Sequence, residues 1–215
     1  MTDPAAPSIS RSLFIFSVLY GGMVCIAGIL GVKQVALGPL AVEAGIFAFL
    51  LLVVISSAIA ELHGQKTATQ LVRLGFIPLI VATALIRLVI LLPHDAGMYP
   101  PAIDAFPIVV GQGARMMMAG LISYGISQTL NVLVFAKLAP KDGTKGRFVW
   151  LRGMIASIVS QVVDTVLFIT ISFFGERDIL GLMAGQMVTK VILSIVLVPP
   201  LISLFVALGR RLDRA

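Results

Sequence analysis

One polar pattern, Ser-Gln-x-x-(Asn/Asp)-x-x-x-Phe, occurs twice in an otherwise apolar part of the chain. Its two copies are Ser127, Gln128, Asn131 and Phe135, and Ser160, Gln161, Asp164 and Phe168. On an α-helix these positions lie within about 100° of each other, so each copy occupies one helix face. Amide and carboxylate groups read the donor and acceptor edge of a planar heterocycle, and a phenyl ring stacks on its face. The pattern therefore favours binding of a small planar purine-like base.

The same side chains also have a simpler explanation. Gln128, Asn131 and Gln161 are residue types that commonly form hydrogen bonds between membrane helices. Asp164 would then pair with Lys190 or Arg87 only to satisfy a buried charge. This explanation and a solute-binding cavity both account for the residues, and the repetition of the pattern favours the cavity.

The composition indicates which elements must position these groups. Hydrophobic residues make up 59% of the 215 residues, charged residues 12%, and the mean hydropathy is +1.06. Charged residues are about a quarter of an ordinary soluble domain, so we expect a polytopic membrane protein. The apolar runs are continuous and lack the alternation of barrel strands. The predicted fold class is therefore all-α.

Apolar runs of the required length are found along the whole chain. A bilayer core about 30 Å thick needs about 20 apolar residues per helix. We place six transmembrane helices near residues 13–32, 40–60, 71–92, 112–137, 150–174 and 179–208. The first is expected to be retained, because no small-residue cleavage site follows it. Residues 1–215 are predicted to form a single transmembrane domain.

Basic residues, which give the chain a formal charge of +6, concentrate in alternate connectors and at the C-terminal end. They are Lys66, Arg73, Lys137, Lys141, Lys145, Arg147, Arg152, Arg210, Arg211 and Arg214. The intervening connectors carry fewer basic residues. One contains Lys33, and another contains a single arginine, in the segment 176–178. By the positive-inside rule both termini are predicted to be cytoplasmic. The expected location is the bacterial inner (plasma) membrane, with the lipid bilayer as a partner.

Ionisable residues inside the predicted spans are costly in a bilayer. They are Glu43, Arg87, Arg115, Asp164 and Lys190. At about 1.5 Å per residue, Arg87, Asp164 and Lys190 fall about 5–8 Å to the external side of the midplane. The candidate charge partners are Arg87, Glu43 and Glu61. We expect the helices to converge on a polar cavity in the outer half of the membrane.

Three features interrupt the apolar pattern. Residues 92–107 contain four prolines and are predicted to be an irregular external loop, either a lid or a plain connection. Gly181 and Gly185 permit close helix packing, including packing in a homo-oligomer. Pro199 and Pro200 are expected to kink or end the last helix.

The sequence contains little that indicates a catalytic or metal-binding site. Cys25 is the only cysteine, and His63 and His94 are expected near opposite ends of the bundle, so neither a metal site nor a histidine dyad is predicted. Asp164 has no second Asp at its depth for a hydrolytic pair, and no Gly-rich Lys motif for ATP is present. We expect no enzyme activity, no cofactor and no nucleic-acid partner.

Several of these segments resemble the queuosine precursor transporter family, whose six-helix members are also described as vitamin-uptake-transporter-like. The resemblance extends over most of the chain after about residue 28. Its most specific parts are Arg115 with SYGISQTLNVLVF, then WLRGMIASIVSQVVDTVLF, then Lys190 and the Pro199 region. The chain departs from the family pattern, which usually has Asp, Tyr, Asp and Asn, at Ser57, His63, Asn131 and Gly153.

The resemblance implies import of a 7-deazaguanine base, namely preQ0, preQ1 or queuine, to supply tRNA modification. The substrate-binding candidates are Asp164, Gln161, Gln128, Asn131, Arg115, Lys190, Phe168 and Phe135. Asn131 both donates and accepts, whereas an ionised Asp only accepts, so it would alter the preferred edge of the base. The alternative is a substrate-binding membrane subunit of a separately energised vitamin or nucleobase uptake complex. Proton coupling, sodium coupling and facilitated diffusion all stay open.

Overall fold

The computed structural model describes residues 10–37, 40–111, 114–140, 148–175 and 179–214. Within these residues the elements are α1 (Arg11–Gly31), β1 (Gln34–Leu37), β2 (Leu40–Glu43), α2 (Gly45–His63), α3 (Gln65–Leu74), α4 (Phe76–Leu91), α5 (Pro100–Val110), α6 (Ala114–Lys137), α7 (Val149–Phe173) and α8 (Ile179–Leu212). Six helical segments of this part of the chain are long and apolar enough to cross a membrane, α3 and α4 together forming one of them. The predicted helical membrane fold with six spans is confirmed.

The spans form a bundle in which α2 is the most enclosed. Its residues Val53, Val54 and Ile55 are fully buried, whereas no residue of α4 is buried. α6 packs against α7, α7 against α8, and α2 against α1, α6 and α8. Exposed apolar side chains suit a surface that faces lipid, because lipid tails are as apolar as the protein interior. α4 therefore has the composition of a lipid-facing helix.

The predicted start of the second span at residue 40 is wrong. Residues 40–43 form β2, which pairs antiparallel with β1 so that Gln34 is opposite Glu43. α2 begins only at Gly45, where an added Cβ would meet the carbonyl oxygen of Ala27. Pairing of the two strands satisfies backbone groups that an open connector at a membrane boundary would leave without partners. A small hairpin therefore accompanies the helices.

The third span begins earlier than predicted, because α3 precedes α4 in the same segment. Gly64, with φ of 88°, separates α2 from α3, a backbone conformation that glycine adopts without steric cost. α3 buries Ala68, Leu71 and Val72 on one face. At the junction with α4, a Cβ on Gly75 would collide with Tyr124. The span therefore extends from residue 65 to 91 rather than from 71 to 92.

The prolines have less effect on the backbone than predicted. Residues 92–107 are not wholly irregular, since α5 begins at Pro100, and proline fits the first turn of a helix because no backbone donor is needed there. α8 continues through Pro199 and Pro200 without ending. Neighbouring helices hold a proline-containing span helical where an open backbone would be costly.

The first and last helices meet at one end of the bundle, called here the terminal end and marked by Ser12, His63 and Asp213. The backbone N–H and hydroxyl of Ser12 donate to the carboxylate of Asp213 at 2.9 and 2.7 Å, and the same hydroxyl lies 2.7 Å from Nε2 of His63. Desolvation acts to raise the pKa of Asp213, but the hydrogen bonds from Ser12 and the nearby His63 lower it. This cluster ties α1 and α2 to the end of α8.

Arg152, counted in the sequence among the basic residues around a connector, is a buried residue of α7. Its Nη1 lies 2.7 Å from Oε2 of Glu61, and both side chains are less than a tenth exposed. Its guanidinium also donates to the carbonyl oxygen of Phe135 and stacks over that ring at 4.1 Å. Lys141, Lys145, Arg147 and residues 176–178, also assigned to connectors, lie outside the described residues.

Removing one member of the Glu61–Arg152 pair is expected to destabilise the bundle, because the other charge would stay buried without its partner. For Glu61→Ala we expect a loss of about 3–5 kcal/mol in unfolding free energy, measured by denaturant unfolding in detergent micelles. Arg211→Ala, at an exposed site of the same end, should change it by less than about 0.5 kcal/mol. Equal stability of Glu61→Ala and the unaltered protein would contradict the structural role of the pair.

Candidate solute-binding cavity

A cavity of about 550 Å³ lies in the half of the bundle opposite the terminal end. Its wall is mostly apolar, and its charged residues within the described part of the chain are Glu43, Asp164 and Lys190. Aromatic side chains in the wall include Phe49, Phe168 and Tyr124. A largely apolar cavity of this volume with a few convergent polar groups is typical of small-molecule sites.

An ion pair between α7 and α8 is the main polar feature of the wall. Nζ of Lys190 lies 3.3 Å from Oδ2 of Asp164, and each side chain is 8% exposed. Ser127 of α6 donates its hydroxyl to Oδ1 of the same carboxylate at 3.3 Å. Lys190 is thus one of the two partners predicted for Asp164. Arg87, the other, donates to the sulfur of Met117 at 2.9 Å.

Two buried amides lie on α6 and α7, the helices of Ser127 and Asp164, although neither is itself part of the cavity wall. Gln161 precedes Asp164 by one turn of α7, and Gln128 follows Ser127 on α6. Both glutamines are 0% exposed, and neither the oxygen nor the nitrogen of either amide has a hydrogen-bond partner among the described residues. A buried polar group left unpaired costs about 1–3 kcal/mol. Such groups are expected where a protein reserves hydrogen bonds for a ligand or water.

Asn131 has a different environment from its counterpart Asp164. Its nitrogen donates to the carbonyl oxygen of Val53 at 3.3 Å and to the hydroxyls of Ser56 and Ser57 at 3.0 and 3.1 Å. Its oxygen has no partner within the described part of the chain. The nitrogen therefore acts as an interhelical hydrogen-bond donor between α6 and α2. Two of the positions that depart from the family pattern, Ser57 and Asn131, contact each other.

The remaining predicted substrate-binding residues do not all lie at the cavity. Phe168 lines the cavity, whereas Phe135 lies under the guanidinium of Arg152. Arg115 is exposed and donates to the carbonyl oxygens of Ile171 and Phe174 at 2.6 and 2.7 Å. Cationic side chains stabilise such carbonyls at the end of a helix. Arg115 therefore holds the C-terminal end of α7 and does not line the cavity.

Other wall residues were not recognised as such from the sequence. Tyr124 lies three residues before Ser127, so helical spacing could have placed it on the same face. Its hydroxyl is 2.9 Å from that of Tyr20 on α1. Residues 108–111, at the end of α5, also line the cavity, and no sequence signal indicates this, because they lie between the predicted loop and the predicted fourth span.

Two comparisons relate the chain to known proteins. The profile of a family described as "Putative vitamin uptake transporter" matches residues 43–204, well over half of the chain. The chain is 30% identical over 119 residues to a "Probable queuosine precursor transporter" of Bacillus subtilis (strain 168), a match that covers 54% of the chain and 49% of the relative. The chain thus spans about half of the length of that relative. No solved structure matches the chain significantly.

The Asp164–Lys190 pair allows a test of whether the two charges are buried together. Asp164→Asn and Lys190→Met should each lower the unfolding free energy by about 3–5 kcal/mol, because each leaves one charge without its partner. The double variant has neither charge and should regain most of that loss. Denaturant unfolding in detergent micelles measures all three. If the two losses simply add in the double variant, the groups do not interact.

Proposed function

Because the chain belongs to the vitamin uptake transporter family, we propose that it imports a queuosine precursor of the 7-deazaguanine type across the bacterial inner membrane. The observation that carries the proposal is the cavity, whose wall includes the Asp164–Lys190 ion pair, together with two buried amides on α6 and α7 that have no hydrogen-bond partners among the described residues. The name of the relative from Bacillus subtilis supports this class of solute.

The site chemistry suits the edge and the face of a planar base. Asp164 would accept hydrogen bonds from ring or exocyclic N–H groups, and the amides of Gln128 and Gln161 each offer a donor and an acceptor. Phe168 in the wall offers a ring on which the base stacks. In the structure, Lys190 and Ser127 donate to this carboxylate. Binding would therefore exchange part of this pairing for contacts with the solute.

The bundle has one hollow half and one packed half, which suits alternating access. Several basic residues, including Arg73, Lys137 and Arg210, belong to the half with the terminal end. By the positive-inside rule this half faces the cytoplasm, so the cavity faces outward. The packed Glu61–Arg152 pair then forms part of the inner barrier, and rocking of helices would move the opening to the other side. In this proposal residues 1–215 act as one transmembrane domain.

The proposal is tested by uptake of labelled preQ0, preQ1 and queuine, offered separately to cells that neither make nor import these bases. Expression of the chain should confer uptake of at least one of them. Asp164→Asn should lower that uptake by about tenfold or more at equal protein level, because hydrogen bonds to a charged acceptor are worth about 1.5–3 kcal/mol. Asp104→Asn, at an exposed site of α5, is the matched control and should retain uptake.

Two results would decide against the proposal. Failure to take up any of the three bases, with the protein present in the membrane, would reject the class of solute. The purified chain should also transport the base in liposomes without another protein. Uptake by cells together with inactivity of the pure chain would instead favour a substrate-binding subunit of a separately energised complex.

A further inference from the structure

The cavity wall contains a second carboxylate that the proposed base-binding site does not use. Glu43 ends β2, which packs against α8, and its side chain is part of the wall. Nε2 of Gln186 on α8 donates to Oε1 of Glu43 at 3.0 Å. The hairpin and α8 together therefore hold this carboxylate at the cavity.

The Glu43 site has acceptors that the protein itself leaves unused. Within the described ranges no cationic side chain pairs with Glu43, and Lys190 is bound to Asp164. The amide oxygen of Gln186 is buried without a hydrogen-bond partner in the same part of the chain, and the residue is 4% exposed. A carboxylate oxygen and an amide oxygen only accept hydrogen bonds. The missing partner is thus a donor, and a cation would also balance the carboxylate.

The charges of the wall favour the same ligand chemistry. Among the described residues, the charged side chains of the wall are two carboxylates, Glu43 and Asp164, and one ammonium, Lys190. Arg87 contacts Met117 but is not itself a wall residue. Within this described part of the wall the carboxylates thus outnumber the ammonium by one. Opposite charges attract each other more strongly beside a mostly apolar wall than in bulk water, so a cationic group would be attracted to the cavity.

We propose that Glu43 and Gln186 form an ammonium-binding subsite, so that the preferred solute is a planar base that carries an aliphatic amine, protonated at neutral pH. This inference rests on the proposed function. Gln186 and Lys190 are four residues apart on α8, about 6 Å along the helix axis. A base whose ring edge contacts Asp164 would therefore place an amine substituent near Glu43. The ammonium donates to the Glu43 carboxylate and to the Gln186 amide oxygen.

Two bases that differ mainly in this substituent provide the test. They are 7-aminomethyl-7-deazaguanine, which carries an ammonium at neutral pH, and 7-cyano-7-deazaguanine, which carries none. Liposomes containing the purified chain are used to measure the half-saturating concentration of each base. We expect the unaltered protein to prefer the aminomethyl base by about tenfold or more, since hydrogen bonds to charged groups are worth about 1.5–3 kcal/mol.

Glu43→Gln keeps the size of the side chain and its capacity to bond with Gln186 but removes the charge. It should weaken binding of the aminomethyl base by about tenfold and change that of the cyano base by less than about twofold. Glu43→Asp, which keeps the charge, should retain part of the preference.

The outcomes separate this inference from the proposed function. Transport of both bases with equal affinity by the unaltered protein would reject the ammonium subsite and leave the proposed function standing. An equal loss for both bases in Glu43→Gln would also reject it and would indicate a general role in transport, such as proton coupling. Transport of neither base, nor of queuine, would reject the proposed function, and the inference with it.

Discussion

The structure depends above all on the need to pair a carboxylate and an ammonium inside the bilayer. Asp164 and Lys190 are each 8% exposed, and a charge in such a place is costly unless it is paired. The pair requires α7 and α8 to present these residues to each other, and Ser127 brings α6 to the same carboxylate. Once three helices are oriented in this way, the polar faces of the repeated pattern must also turn toward the interior of the bundle. The polar interior near the cavity is therefore a consequence of the ion pair.

The two halves of the bundle differ in how they satisfy their polar groups. In the half with the terminal end, Glu61 and Arg152 bind each other, and Phe135 covers the guanidinium. Toward the cavity, the amide oxygen of Gln186 and the buried amides of Gln128 and Gln161 have no hydrogen-bond partners among the described residues. A transporter needs a site that can exchange partners and a barrier that holds until the protein changes conformation. The distribution of satisfied and unsatisfied groups matches that division.

The parts of the fold that follow from chain length and apolar content could be predicted from the sequence. Continuous apolar runs define six spans. The positions of Asp164 and Lys190 along their two spans predict that both lie at the same depth in the membrane. The hairpin, α5 and the buried position of Arg152 could not be predicted in this way, because each depends on contacts between distant segments. Asn131 and Phe135 share a helix face with Gln128. Asn131 nevertheless forms hydrogen bonds with α2, and Phe135 contacts Arg152. Spacing identifies the face of a helix, but the neighbouring helix decides what that face binds.

The central claim, that the cavity binds a 7-deazaguanine base from the outside, can be tested at Cys25. This residue is the only cysteine of the chain and lies in the cavity wall. In intact cells, a membrane-impermeant thiol reagent should modify Cys25, and a saturating concentration of the transported base should protect it. The protection should be lost in Asp164→Asn. Modification at the same rate with and without every base, or no access from outside, would contradict the account.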